Sequence, residues 1–294
     1  MGSILLSELK PVHIEQLHSN IAVGNIPKIG MTRGGTVIAN RCLSDIKAAL
    51  NKAIQWEIIS NNPANKIKKI KEQPRKRFLD EAELQRLFQT MHSLEENHTW
   101  AYKYKECIDA VKLALFTGCR KGELLSTKWQ NIDLESLPPK WTKPHETTKQ
   151  DEWEVVPLSE ECVNVLKDRK TRNEQRSNPS PYVFPEPGNP DNHMMELKHS
   201  WTTLRKKANL QNFTFHDLRH TFASHMAIQG KSLYVIGKML GHKNAQTTQR
   251  YAKLNTGALE DLANSMSAVV QAAVQVPVPA NDNNSVQKQE RESA

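Results

Sequence analysis

Apolar residues recur at helical spacing over residues 36–60, where Val37, Ile38, Cys42, Ile46, Leu50, Ala53, Ile54 and Ile58 share a stripe. The spacing predicts an amphipathic helix of about six turns. Asn61-Asn62-Pro63 closes it, because a proline disfavours helix in the residue before it. A shorter helix is predicted over residues 10–22, and residues 24–35, with Pro27 among glycines, read as a loop. Residues 1–65 therefore form a small, all-helical unit. Asp80-Glu81-Ala82-Glu83 opens the next helix with an acidic first turn that suits the helix dipole, and Leu84, Leu87 and Phe88 are its predicted buried side. Residues 106–118 continue as an apolar helix that stops at Gly118. In residues 129–158 the pattern changes: Ile132, Leu134, Trp141 and the run Trp153-Glu154-Val155-Val156-Pro157-Leu158 read as short strands joined by polar turns. Helices return from His216, and Ala258, Leu259, Leu262, Ala263, Met266, Val269, Val270 and Ala273 give residues 256–275 an apolar stripe. Residues 276–294 show no periodicity and read as a disordered tail. The fold class is mainly α with a small β-sheet.

Charge changes this picture at one place. The formal charge is +8, and the whole excess lies before Phe78, where residues 1–77 hold 13 Lys and Arg against 5 Asp and Glu. Seven of those cations (Lys66, Lys68, Lys69, Lys71, Arg75, Lys76 and Arg77) fall within residues 66–77, around Pro74. So dense a run argues against a packed core and for an exposed linker between two domains. Its positive field suits a polyanion such as DNA, since each cation near a phosphate releases condensed counterions. Cys42, Cys107, Cys119 and Cys162 lie far apart with no CxxC pair, which fits a reducing compartment and suggests neither a zinc knuckle nor a disulfide framework. No apolar run approaches the roughly 20 residues of a membrane span. A cytoplasmic protein with no membrane partner is expected.

Three segments carry chemistry. In Thr117-Gly118-Cys119-Arg120-Lys121-Gly122-Glu123-Leu124 a glycine stops one helix, and a polar turn aims Arg120 towards a cleft; a guanidinium matches two non-bridging phosphate oxygens. In His216-Asp217-Leu218-Arg219-His220-Thr221-Phe222-Ala223-Ser224-His225, His216 and Arg219 are three apart and share a helix face. The histidines there invite a zinc reading, but neither a Cys nor an HExxH glutamate completes one. Structural roles are expected for His220 and His225. In Met239-Leu240-Gly241-His242-Lys243-Asn244-Ala245-Gln246-Thr247-Thr248-Gln249-Arg250-Tyr251, a helix ends at glycine, His242 follows, and Tyr251 arrives nine residues later.

Taken in order, these segments resemble the three catalytic boxes of the tyrosine recombinase, or phage integrase, family, and the resemblance runs from about Arg75 to Asp261. It implies a helical core-binding domain, the linker 66–77, an α+β catalytic domain over 78–255 and a C-terminal helix over 256–275. By the same resemblance the sequence begins partway into the core-binding domain, so its first helix and any arm-type DNA-binding domain are expected to be absent from it. By resemblance the catalytic set falls on Arg120, Lys149, His216, Arg219, His242 and Tyr251. Lys149 stands before a Val-Pro-Leu strand as the family's β-turn lysine does, with Lys143 as a competitor. The implied activity is cleavage and rejoining of DNA through a 3′-phosphotyrosyl link. No nucleotide or metal cofactor is needed, because that link keeps the energy of the broken bond.

His216 is the expected proton acceptor for Tyr251, whose hydroxyl would otherwise ionise only near pH 10. The expected partners are double-stranded DNA with specific recombination sites, three further copies of the chain, and accessory DNA-bending or directionality proteins. The setting is bacterial or phage-type and nucleoid-associated. The C-terminal helix docks either on a sister subunit or on its own domain. A type IB topoisomerase-like enzyme and a catalytically inactive DNA-binding regulator share parts of the pattern; the first would relax supercoils as a monomer, and the second would form no covalent adduct.

Overall fold

The structure is a computed structural model that describes residues 4–25, 35–72, 77–144, 153–242 and 244–254. It comprises two compact units, Met1–Arg75 and Lys76–Ala294.

In the first unit, α1 (Pro11–Val23) packs on α2 (Thr36–Gln55) around Ile14, Leu43 and Leu50. Helix α2 ends five residues before the predicted Ser60: Glu57 turns left-handed and the Ile58 amide reaches back to the Ala53 carbonyl. The buried line is also rotated from the expected one. Ala39, Asn40, Leu43, Leu50 and Ala53 face inward, while Val37, Ile38 and Ile58 are exposed. The cause is the returning chain, which lays Ala64 and Ile67 against α2 and completes the core. Asn40 fixes this return as a strand neighbour would: Oδ1 accepts from the Ile70 amide at 2.9 Å, and Nδ2 donates to the Ile70 carbonyl and to Glu72, both at 2.7 Å.

The basic run is therefore not a free linker at its start, because Ile67 packs into the first unit and the backbone of Ile70 is held by Asn40. Lys66, Lys68, Lys69 and Lys71 remain exposed, whereas Arg75 and Lys76 lie outside the described residues. Arg77 departs from the expectation as well. Its guanidinium forks onto Glu83, with both bonds at 2.6 Å, donates to the Phe78 carbonyl and stacks over Phe213, so its charge is neutralised within the protein.

The second unit opens with α3 (Glu81–Glu96), whose acidic start is capped by Asp80 accepting from the Glu83 amide at 2.8 Å. Its buried side is Leu87, Met91 and Leu94, with Leu84 partly covered. Phe88 is 37% exposed and tilts against the Phe116 ring with centroids 6.4 Å apart, because the inward stripe follows the i+3 and i+4 steps from Leu87. Helix α4 (His98–Thr117) runs through the core, burying Ile108, Val111 and Ala114, and is followed by the short α5 (Lys121–Leu125). The predicted sheet is present as three antiparallel strands, β1 (Ile132–Asp133), β2 (Lys140–Lys143) and β3 (Glu154–Pro157), with Trp141 opposite both Ile132 and Val156. Helix α6 (Glu160–Glu174), the hairpin β4 (Pro185–Glu186) and β5 (Asn189–His193), and α7 (Lys198–Lys207) close the core around Phe184, Leu204 and Phe213. The chain then forms α8 (Asp217–Ile228), α9 (Leu233–Leu240) and α10 (Ala245–Gln249). Residues 256–294, with the predicted C-terminal helix and tail, lie outside the described residues.

Gly118 joins α4 to this last group of helices. It holds φ +65°, and a Cβ there would meet Phe222 at 2.6 Å and Leu240 at 2.7 Å, so both backbone angle and packing demand glycine. Gly118→Ala should destabilise the second unit by about 2–4 kcal/mol, the sum of left-handed strain and overpacking. Gly122, with open space around it, serves as the control: Gly122→Ala should change stability by under about 1 kcal/mol. Urea melts of the two variants check this, and equal melting midpoints would contradict the packing described.

Candidate active site

The left-handed turn at Gly118 delivers Arg120 to the N-cap of α5. There Glu123, one turn on, binds the Arg120 guanidinium at Nη1 and accepts from its backbone amide at 3.2 Å. The other end of the guanidinium donates to the Gly241 carbonyl at 3.2 Å. Arg219, on α8, is 4% exposed and donates to the carbonyls of Gly118 at 2.9 Å and Leu240 at 2.5 Å. The two arginines, from segments a hundred residues apart, thus meet on one turn, the left-handed C-cap of α9 at Gly241. Burial first, and then the Arg120 charge, lowers the Arg219 pKa to about 10. The second cause shows that the two cations feel one another, with Glu123 opposing the shift.

His242 follows the same turn, and its Nδ1 shares a 2.8 Å hydrogen bond with Thr248 on α10. Thr248 in turn lies against Gly237, where a Cβ would meet its hydroxyl at 2.8 Å. Burial, then Arg219 and Arg120, lowers the His242 pKa to about 4. Tyr251 comes just after α10, 5% exposed, packed with Ala223, Ala227, Ile236 and Leu240. Its hydroxyl meets Nδ1 of His220 at 2.6 Å. Burial pushes this phenol up, against the pull of Arg250 and Arg219. His220 is lowered to about 4 by burial, then by Arg250 and His216. With the imidazole neutral and the phenol protonated, the phenol O–H donates to Nδ1 when His220 carries its proton on Nε2. His216, at the N-cap of α8, is solvent-exposed and turns its ring edge to His220, with centroids 5.2 Å apart. Burial and the Arg219 charge lower its pKa too.

The structure thus brings Arg120, His216, Arg219, His242 and Tyr251 into one cluster. Lys149 lies outside the described residues. Lys143 is buried, 1% exposed, in ion pairs with Glu123 and Glu154. The sequence reading missed His220: the group touching the Tyr251 hydroxyl is His220, not His216. A signal was present, since position 220 is one helical turn beyond His216 and so shares its face. His225 does have the structural role expected, as its Nε2 bonds the Leu79 carbonyl at 2.8 Å. Among the described residues no group of three or more His, Cys, Asp or Glu side chains converges as a metal site would, and no helix is long and apolar enough to cross a membrane.

Comparison with known proteins agrees with this geometry. The chain is 27% identical over 249 residues to the integrase of Salmonella phage P22, covering 79% of this chain and 58% of that protein. It is 32% identical over 151 residues to the tyrosine recombinase XerA of Pyrococcus horikoshii, 49% of each chain. The chain spans about three fifths of the length of the first of these relatives. Its fold matches the XerH site-specific recombinase in a post-cleavage complex with palindromic difH substrate, with a TM-score of 0.66 at 18% identity over 88% of this chain and 72% of that one. It also matches the Tn1549 transposon integrase in complex with circular intermediate DNA, with a TM-score of 0.64 at 18% identity over 89% and 87%. The model of the phage integrase family matches residues 77–257, which take in every residue of the cluster. The chain belongs to the phage integrase family.

Proposed function

We propose that this protein is a site-specific DNA recombinase that cuts and rejoins strands through a 3′-phosphotyrosyl link at Tyr251, with four protomers acting on two DNA sites. The observation that carries the reading is the pairing of Arg120 and Arg219 on the Leu240–Gly241 turn, with the Tyr251 hydroxyl presented from the adjoining α8–α10 cluster.

Attack on a phosphodiester builds negative charge on the non-bridging oxygens of a five-coordinate phosphorus, and fixed guanidiniums stabilise that charge without reorganising. Arg219 is oriented by neutral carbonyls, so its hydrogen bonds aim it while its charge stays available for the phosphate. His242 and His216 complete the phosphate's donor set. The Tyr251 oxygen bonds to phosphorus as the bond from phosphorus to the 5′ oxygen breaks. The phenol proton passes to His220, whose Nδ1 lies 2.6 Å from the hydroxyl and accepts it in the Nε2–H tautomer. The leaving 5′ oxygen takes its proton from Lys149, the assignment that the family resemblance supplies. A 5′ hydroxyl from a second duplex then reverses the step. The exposed cations Lys66, Lys68, Lys69 and Lys71 track the DNA backbone.

On a nicked suicide substrate the protein should trap a covalent adduct that Tyr251→Phe abolishes. Arg219→Ala should slow adduct formation about a hundredfold, equivalent to roughly 3 kcal/mol. A Tyr251→Phe protein that still forms the adduct overturns the reading.

The field around the imidazoles gives a second outcome. His220 and His242 sit near 4 in the free site, and a phosphate among them favours the protonated ring, so their pKa values rise on binding. DNA binding should then take up protons between about pH 4 and 6.5 and tighten as pH falls through that window. Calorimetry in buffers of different ionisation enthalpy reads this directly; zero uptake at pH 5.5 contradicts it.

Replacing Lys66, Lys68, Lys69 and Lys71 with Gln should flatten the salt dependence of DNA affinity by about 0.9 in the log–log slope for each phosphate that these lysines neutralise. An unchanged slope would show them to be bystanders.

A further inference from the structure

Lys143 is among the largest fully buried side chains of the protein, and the reaction as derived makes no use of it. A buried ammonium without partners is strongly disfavoured, and this one has two carboxylates. Its Nζ lies 3.1 Å from Glu123 Oε2, on α5, and 3.4 Å from Glu154 Oε2, at the start of β3. It also sits over the Trp141 ring, 5.0 Å from the centroid.

Each carboxylate continues to the same place. Glu123 uses its other oxygen to hold the Arg120 guanidinium, which reaches the Gly241 carbonyl. Glu154 turns Oε1 against Gly241 itself, where a Cβ would stand 2.1 Å from it. That oxygen is buried and has no hydrogen-bond partner among the described residues. From Lys143 the contacts run through Glu123 and Arg120 to Gly241, and back through Glu154 to Lys143. The closed ring ties α5, the β2–β3 pair and the α9 turn that also anchors Arg219. Burial acts to raise the Glu123 carboxyl, but Lys143 and Arg120 outweigh it and keep it low, so it stays an anion able to grip Arg120.

We propose that Lys143 is a positioning residue: by bridging Glu123 and Glu154 it sets where the Arg120 guanidinium stands relative to the Gly241 turn. It acts through Arg120 and does not touch the phosphate, which excludes it as the proton donor to the leaving oxygen. The inference rests on the proposed strand-transfer chemistry. Removing Lys143 leaves two buried carboxylates facing each other, and their repulsion displaces Glu123 and Arg120 with it.

The test compares three suicide substrates: the ordinary phosphodiester, a 5′-bridging phosphorothiolate, whose sulfur leaves without acid help, and a methylphosphonate, whose uncharged phosphorus needs less of a guanidinium clamp. Wild type and Arg120→Ala are the references. Lys143→Met should cleave the phosphodiester about a hundredfold more slowly, the scale of an ångström-sized misplacement. It should stay equally impaired on the phosphorothiolate and, like Arg120→Ala, recover most of the loss on the methylphosphonate. The charge-balanced double variant Lys143→Met with Glu154→Gln should show the same substrate signature, and it stands in if the single variant does not fold.

Rescue by the phosphorothiolate would make Lys143 the acid and overturn the proposal. An equal deficit on all three substrates would reduce it to a stabilising role, and wild-type rates on the phosphodiester would remove it altogether. A wild-type protein that cleaves none of the substrates would instead refute the underlying strand-transfer reading. Arg120→Ala without methylphosphonate rescue would refute only the role given to Arg120.

Discussion

The second unit is organised around two like charges on one turn, Arg219 held by main-chain carbonyls and Arg120 by a carbonyl and Glu123. Arg219 donates to Gly118 and Leu240, and Arg120 donates to Gly241, so guanidiniums from two distant segments share one helix-terminating turn. Carbonyl oxygens orient a guanidinium without cancelling it, and that distinguishes Arg219 from Arg120, which also pairs with Glu123, and from the structural ion pairs elsewhere in the unit. Arg169, for comparison, is buried between Asp109 and Glu106, and its charge is balanced on the spot. At the Gly241 turn, Glu123 is the carboxylate that reaches either arginine by a hydrogen bond, and it reaches only Arg120.

Burial, and after it the charges of Arg219, Arg120 and Arg250, holds His216, His220 and His242 below the ordinary imidazole range, and burial outweighs Arg250 and Arg219 at the Tyr251 phenol. In the free protein Tyr251 is thus a protonated phenol hydrogen-bonded to a neutral imidazole. On the proposed chemistry, an anion between the arginines raises the basicity of the rings around it, which couples phosphate binding to acceptance of the phenol proton.

The cluster was legible from the sequence because its members sit at points of local necessity. Glycines that end helices left-handed, at Gly118 and Gly241, mark where Arg120 and His242 leave the backbone, and the i, i+3 spacing places His216 beside Arg219. What required three dimensions is everything set by cross-chain packing. The inward line of α2 is chosen by residues 64–72 folding back on it, so a stripe read from α2 alone is rotated. Phe88 lies at the margin of α3 because the core is met by Leu87, Met91 and Leu94. Arg77 reads as one more cation in a basic run, yet Glu83 and Phe213 capture it. His220 shares a face with His216, but only the return of the chain past α10 shows which imidazole meets Tyr251. The ring through Lys143 depends on β2–β3 pairing, which periodicity does not specify.

The central claim is that Arg120 and Arg219 form one receptor for a single phosphate, within reach of the Tyr251 position. The most direct measurement is a crystal structure of the Tyr251→Phe protein on a duplex carrying its recombination site. One backbone phosphate should lie with its non-bridging oxygens about 3 Å from both guanidiniums, and the ring of residue 251 should turn towards the phosphorus opposite the 5′ oxygen. A duplex whose phosphates touch neither arginine, or touch each through a different phosphate, would contradict it.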